Sequence, residues 1–184
     1  MEIFETTIPE VKYFKPSVFG DARGTFFESY NQNSFQAVGI TANFVQDNQS
    51  LSSKGVLRGL HYQTGASAQA KLVRVIRGAV YDVAVDIRRG SPTYGQYFGA
   101  ILSGDNGHQL FVPRGFAHGF VVLEDDTIFA YKCDNFYHKA AEGGIIWNDP
   151  AININWPIDL TSVLLSEKDA ILPHLENCIN DFNY

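Results

Sequence analysis

Two histidines sit in surroundings that chemistry could use. In GVLRGLHYQ (Gly55 to Gln63), Arg58 and His61 interrupt an otherwise apolar run, and in VPRGFAHGF (Val112 to Phe120) a Pro and a Gly turn the chain just before His118. Imidazole, with an unperturbed pKa of about 6.5, is the side chain best suited to exchanging protons near neutrality. Taken alone, a strand histidine is more often a hydrogen-bonded structural group than a catalyst, so the pattern needs support from its surroundings. The cysteines offer none. Cys133 and Cys178 lie far apart without metal-ligand spacing, and Cys133, inside an apolar run, is expected to be a packed core thiol.

The elements that must position these residues read as strands. KLVRVIRG, AVYDVAVDI, YFGAILSGDN, HQLFVPRG, HGFVVLE and TIFAYKC are rich in Val, Ile, Phe and Tyr and are separated by Gly, Asp, Asn and Pro, the spacing of a mostly antiparallel sandwich or barrel. Helical signals are few: a turn from Asn33 to Val38 stopped by Gly39, and an S-x-x-D pattern at Ser166 and Asp169 that Pro173 soon interrupts. The expected fold class is therefore all-β with a few short peripheral helices, mainly C-terminal. With 184 residues, no repeat, no low-complexity linker and no shift in composition, the chain is expected to form one domain over 1–184.

Composition excludes some partners. Hydrophobic residues make up 45% and charged residues 18%, and 14 basic against 20 acidic residues leave a net charge of −6, so a basic stripe for a nucleic-acid polymer is not expected. No apolar run approaches the roughly 20 residues needed to cross a bilayer. The start, MEIFETTIPE, is acidic and lacks the pattern of a secretory signal, and the two isolated cysteines suit reduced thiols, so a cytoplasmic location is expected.

The segment around His118 resembles the second cupin motif, P-x-G-x-x-H, which points to a jelly-roll barrel. Metal-binding cupins use a His-x-His pair with a later Glu and a further His. Here His61 is followed by Gln63 and the usual Asn position holds Val122, so no metal and no other cofactor are expected. A barrel interior holding His, Lys, Tyr and Arg suits proton transfer on an anionic ligand instead.

The ordered blocks GDARGTFFESY, FVQDNQS, GVLRGLHYQ, AQAKLVRVIRG, VYDVAVDIRRGSPTYG, VPRGFAHGF, FAYKCDNFY, EGGIIWND and LSEKDA resemble the dTDP-4-dehydrorhamnose 3,5-epimerases, and the likeness runs from about Ile3 to Leu172. It implies inversion of C3 and C5 of dTDP-4-dehydro-6-deoxy-D-glucose through an enolate. His61 matches the family's base, Asp169 its carboxylate partner, Lys71 the stabiliser of the enolate oxygen and Tyr131 the acid on the opposite face. Arg23, Glu28, Gln46, Asn48, Arg58, His118, Glu142 and Lys168 match contacts to the nucleotide sugar. The resemblance further implies that Tyr137 stacks on the base and that Asp82 is a supporting residue in the barrel. The resemblance also implies a homodimer in which Arg23 serves the other subunit's site. Competing readings are an epimerase acting at C3 alone, a ketoisomerase on a related dTDP sugar, and a catalytically silent sugar-nucleotide-binding cupin; the set His61, Lys71, Tyr131 and Asp169 argues against the last.

Two local points are at odds with a simple picture. Strict strand alternation places His61 and Arg58 on opposite faces unless the strand bulges, and Gly59 is where a bulge would be tolerated. After DNFY the chain carries His138 and Lys139, a departure from the family pattern that bears on contacts to the base. In TIFAYKC, alternation puts Phe129, Tyr131 and Cys133 on one face and Ile128, Ala130 and Lys132 on the other.

Overall fold

The computed structural model describes residues 1–184. Thirteen strands run in chain order: β1 (Glu2–Phe4), β2 (Lys12–Lys15), β3 (Val18–Asp21), β4 (Gly24–Phe27), β5 (Gln46–Ser52), β6 (Leu57–Gln63), β7 (Lys71–Arg77), β8 (Ala79–Asp86), β9 (Tyr97–Ser103), β10 (Gln109–Val112), β11 (Phe116–Val122), β12 (Thr127–Cys133) and β13 (Glu142–Gly144). Every strand pairing is antiparallel. Six strands form one sheet in the order β1-β2-β10-β7-β12-β5, five form a second in the order β13-β6-β11-β8-β9, and β3 and β4 make a separate hairpin. The all-β jelly roll read from the sequence is the architecture found.

The two large sheets face each other across a core that includes Val73, Val75, Val80, Leu102, Leu110, Phe120 and Phe129. The outer face of the five-stranded sheet is covered in turn by the C-terminal third of the chain, through Ile145, Ile152, Trp156, Leu175 and Cys178. The central strand β11 is consequently buried at all seven positions and β8 at all but one, which is why both read as near-continuous apolar runs. By contrast β5 lies at a sheet edge, and its alternating exposure leaves one row of polar side chains facing inward.

Regular α-helix is confined to α1 (Gln32–Gln36), capped by the Asn31 side chain and followed by Gly39 at φ +84°. The C-terminal helical segments are single 3-10 turns at Leu160–Ser162, Asp169–Ile171 and Leu175–Asn177. Ser166 accepts the Asp169 N–H at 3.1 Å, as its capping pattern implies, but Pro173 leaves no room for the turn to propagate.

Candidate active site

The cavity forms where β6 and β11 of one sheet confront β5, β7 and β12 of the other. It has a volume of about 630 Å³, and His61, Lys71, His118, Tyr131 and Asp169 all line it, with Asn48, Arg58 and Lys168. An adjoining compartment of about 260 Å³ shares Asn48, His61, Lys71 and Tyr131 and adds Gln46, Gln63, Tyr137 and Glu142. His61 enters from the five-stranded sheet; Lys71 and Tyr131 enter from the six-stranded one. A ligand between the sheets thus meets the imidazole on one side and the ammonium and phenol on the other.

A bulge brings Arg58 and His61 into the same cavity. His61 pairs with His118 and Arg58 with Phe120, so two residues of β6 oppose the single Gly119 of β11. Gly59 sits there at φ +126°, and a Cβ on it would lie 2.6 Å from the Gly119 Cα, so a side chain is excluded both by conformation and by space. This removes the conflict that strict alternation creates.

His61 Nε2 is 2.6 Å from Asp169 Oδ1, and Asp169 Oδ2 accepts the Gly59 N–H at 3.4 Å. Asp169 is buried, while the His61 side chain keeps 29% of its surface open to the cavity. Burial alone would raise the Asp169 carboxyl, but the bonds from His61, Gly59 and Ser166 outweigh it and hold the group below its ordinary range. The carboxylate is therefore an acceptor only, so the His61 Nε2–H donates and Nδ1 is the ring nitrogen not engaged by Asp169.

Asp82 lies in the barrel interior beside His118. Both of its oxygens lie 3.0 Å from His118 Nε2, and both residues are buried. Burial pushes Asp82 up and His118 down, partly countered by their mutual attraction, so the pair is biased away from the fully charged state. Lys71 is pulled below the usual lysine range by burial, with Cys133, Asp82 and Glu142 acting to restore it. Its ammonium lies 5.9 Å from the Tyr131 ring centroid, and burial raises the Tyr131 phenol. Cys133 is buried, accepts a weak bond from Asn48 at 3.7 Å and is pushed up to about 11 by burial, so it is a protonated core thiol.

At the mouth, Tyr137 donates its hydroxyl to Glu142 at 3.0 Å, and Lys168 bonds the other Glu142 oxygen. Arg23 and Glu28 lie outside the chain's own cavity. Arg23, in the β3–β4 turn, is 90% exposed and paired with Asp21 at 2.5 Å, while Glu28 accepts a bond from Asn31. Cavity residues that the sequence did not nominate include Ser50, Phe120, Leu164 and Leu165. Ser50 follows Gln46 and Asn48 at period two and Phe120 follows His118 likewise, so alternation could have found both; the leucines lie in irregular chain that shows no period.

No three His, Cys, Asp or Glu side chains come together in a way that could hold a metal ion. No helix is long and apolar enough to cross a membrane.

A jelly roll that sets a His–Asp pair opposite a Lys and a Tyr across one cavity has the form of a cupin-type enzyme. The model of the dTDP-4-dehydrorhamnose 3,5-epimerase family matches residues 5–177, and the chain belongs to that family. It is 56% identical over 170 residues to a dTDP-4-dehydrorhamnose 3,5-epimerase of Shigella flexneri, covering 92% of this chain and 93% of that one. The crystal structure of an epimerase from Legionella pneumophila in complex with dTDP-4-keto-L-rhamnose superposes with a TM-score of 0.92 at 51% identity, covering 96% of this chain and 93% of that one. A 3'-monoepimerase from Streptomyces bikiniensis in complex with dTDP-quinovose is more distant, at 33% identity and a TM-score of 0.86 over 96% of this chain and 88% of that one.

Proposed function

We propose that this chain epimerises dTDP-4-dehydro-6-deoxy-D-glucose at C3 and C5 to dTDP-4-dehydro-L-rhamnose. The observation that carries this is the placement of His61, bonded to Asp169, on one sheet of the cavity and of the Tyr131–Lys71 pair on the other. The hydrogens on carbons flanking a ketone are weakly acidic. His61 takes such a proton, the C–H electron pair moves into the enolate, and Asp169 steadies the imidazolium that results. Lys71 donates to the enolate oxygen, an interaction that strengthens as charge develops. Tyr131 then delivers a proton to the other face, inverting the carbon, and both groups return to their starting protonation through solvent.

Arg58, Lys168 and His118 hold the diphosphate and sugar, while Gln46, Asn48, Tyr137 and Glu142 hold the nucleoside. Arg58 suits a phosphate because its planar fork makes paired charge-assisted bonds. The working unit on this reading is a homodimer of single-domain subunits in the cytoplasm. The β3–β4 hairpin pairs only with itself and exposes Val18, Phe19, Phe26 and Arg23, a surface suited to reach a neighbouring copy's site. Both cysteines are free and buried, consistent with reduced thiols.

Tyr131→Phe tests the assignment of faces. The ring and its packing remain, so abstraction by His61 continues. The variant is expected to wash deuterium from solvent into the substrate with retained configuration while inverted product falls sharply. Parallel loss of exchange and inversion would remove Tyr131 from the role of acid.

A further inference from the structure

Gln63 ends β6 two residues beyond His61, is 4% exposed, and takes no part in the steps above. Its Oε1 accepts the His138 N–H at 2.6 Å. Its Nε2 is fully buried and has no hydrogen-bond partner. A buried, unpaired amide donor is destabilising, and an apolar side chain of the same length would avoid that cost. The carboxamide is therefore poorly explained as packing.

The bond it does make lies beside an exposed part of the site. Tyr137 leaves 52% of its surface open, so packing alone does not fix it. Three attachments do: its own N–H to Gln46 Oε1 at 3.1 Å, its hydroxyl to Glu142 Oε2 at 3.0 Å, and the next residue's N–H to Gln63. Gln46 belongs to β5 of one sheet and Gln63 to β6 of the other, so two adjacent backbone N–H groups are held from opposite sides of the cavity mouth. Gln63 is the buried member of the three anchors, and Glu142 is its direct cross-strand neighbour on β13.

We propose that Gln63 is a positioning residue. By fixing the His138 N–H it sets where Tyr137 stands at the cavity mouth, and so governs affinity for the nucleoside diphosphate part of the substrate without touching the proton-transfer step. The inference rests on Tyr137 contacting that part of the ligand, as proposed above.

The test compares Gln63→Met, which keeps length and loses the acceptor, with Gln63→Glu, which keeps an acceptor oxygen for His138. KM and kcat are measured on dTDP-4-dehydro-6-deoxy-D-glucose, and binding on dTDP alone. Gln63→Met is expected to raise KM and the dTDP Kd about 5-fold, the worth of one neutral hydrogen bond, with kcat within 2-fold. Gln63→Glu is expected to restore both toward wild type. In a Tyr137→Ala background, Gln63→Met is expected to add nothing further, because the residue acts through Tyr137. An effect that persists undiminished in that background, or a fall in kcat at unchanged KM, overturns the proposal. Amide hydrogen exchange on the wild-type protein guards against a variant that does not fold: the His138 N–H must be protected, and exchange at the rate of a free loop amide also overturns it. Wild type that neither binds dTDP nor turns over the substrate refutes instead the reading on which the inference rests.

Discussion

Asp169→Asn isolates the electrostatic half of the dyad. The substitution keeps the shape of the side chain, its burial and its ability to receive the Gly59 N–H, but removes the charge that faces His61 at 2.6 Å. When His61 takes a proton, two unit charges about 4 Å apart between their centres attract by about 4 kcal/mol at an effective dielectric constant near 20. A neutral amide retains about 1 kcal/mol of this as an ordinary hydrogen bond. The remaining ~3 kcal/mol in the transition state is about 150-fold in rate. The amide also offers an N–H where the carboxylate only accepts, which favours the wrong imidazole tautomer and adds to the loss. The assay is deuterium exchange from solvent into dTDP-4-dehydro-6-deoxy-D-glucose, followed by NMR alongside product formation, with dTDP binding as the control. Exchange and inversion should fall together by about 10²-fold or more while the dTDP Kd changes little. A variant that retains exchange within 3-fold of wild type would show that Asp169 serves only its 3-10 turn.

Gly59→Ala should unfold the site as well as strain the sheet, since the new Cβ meets Gly119 at 2.6 Å with the backbone at φ +126°; a loss of about 3 kcal/mol lowers the melting temperature of a chain this size by roughly 6–12 °C, and an unchanged melting curve would contradict the bulge. Asp86 and Asp149 are buried, and although burial raises each, the bonds from Arg88, Ser91 and Thr93 to the first and from the Leu175, Ala151 and Ile152 N–H groups and His174 to the second leave both below the ordinary carboxylate range. Their stabilisation is complete above the unfolded value of about 3.9 and is lost as pH falls through the lower folded value, so thermal melts should show an acid-side decline that Asp149→Asn makes shallower; an identical acid limb in that variant would refute the assignment. Mixing Arg23→Ala with His61→Asn subunits should restore activity to about a quarter of wild type, because half of a random mixture is mixed dimer with one intact site of two. No recovery on mixing would place Arg23 outside the partner's site.

The strands from β7 to β12 were legible because period-two patterning and turn residues mark them, and the doubly buried β8 and β11 announced themselves as apolar runs. Gly59 was legible as a break in alternation, and its bulge resolves the conflict between Arg58 and His61. The C-terminal third was not. It is held to the barrel by scattered backbone bonds, such as Leu57 N–H to Leu164 and Leu164 N–H to Gly55, which leave no periodic trace in side-chain types. Asp169 rides on that segment, so its meeting with His61, 108 positions away, was accessible only through family resemblance. Resemblance likewise nominated Arg23 and Glu28, and here the fold of one chain shows only that they stand apart from its own cavity.

The central claim, two inversions by one dyad, is tested most directly by incubating the protein with dTDP-4-dehydro-6-deoxy-D-glucose in deuterated water and locating the label by NMR. Proton abstraction and return at both carbons flanking the ketone predicts deuterium at C3 and at C5 of an inverted product. Label at C3 alone contradicts the double inversion and makes the chain a monoepimerase; no label at either carbon contradicts proton transfer altogether.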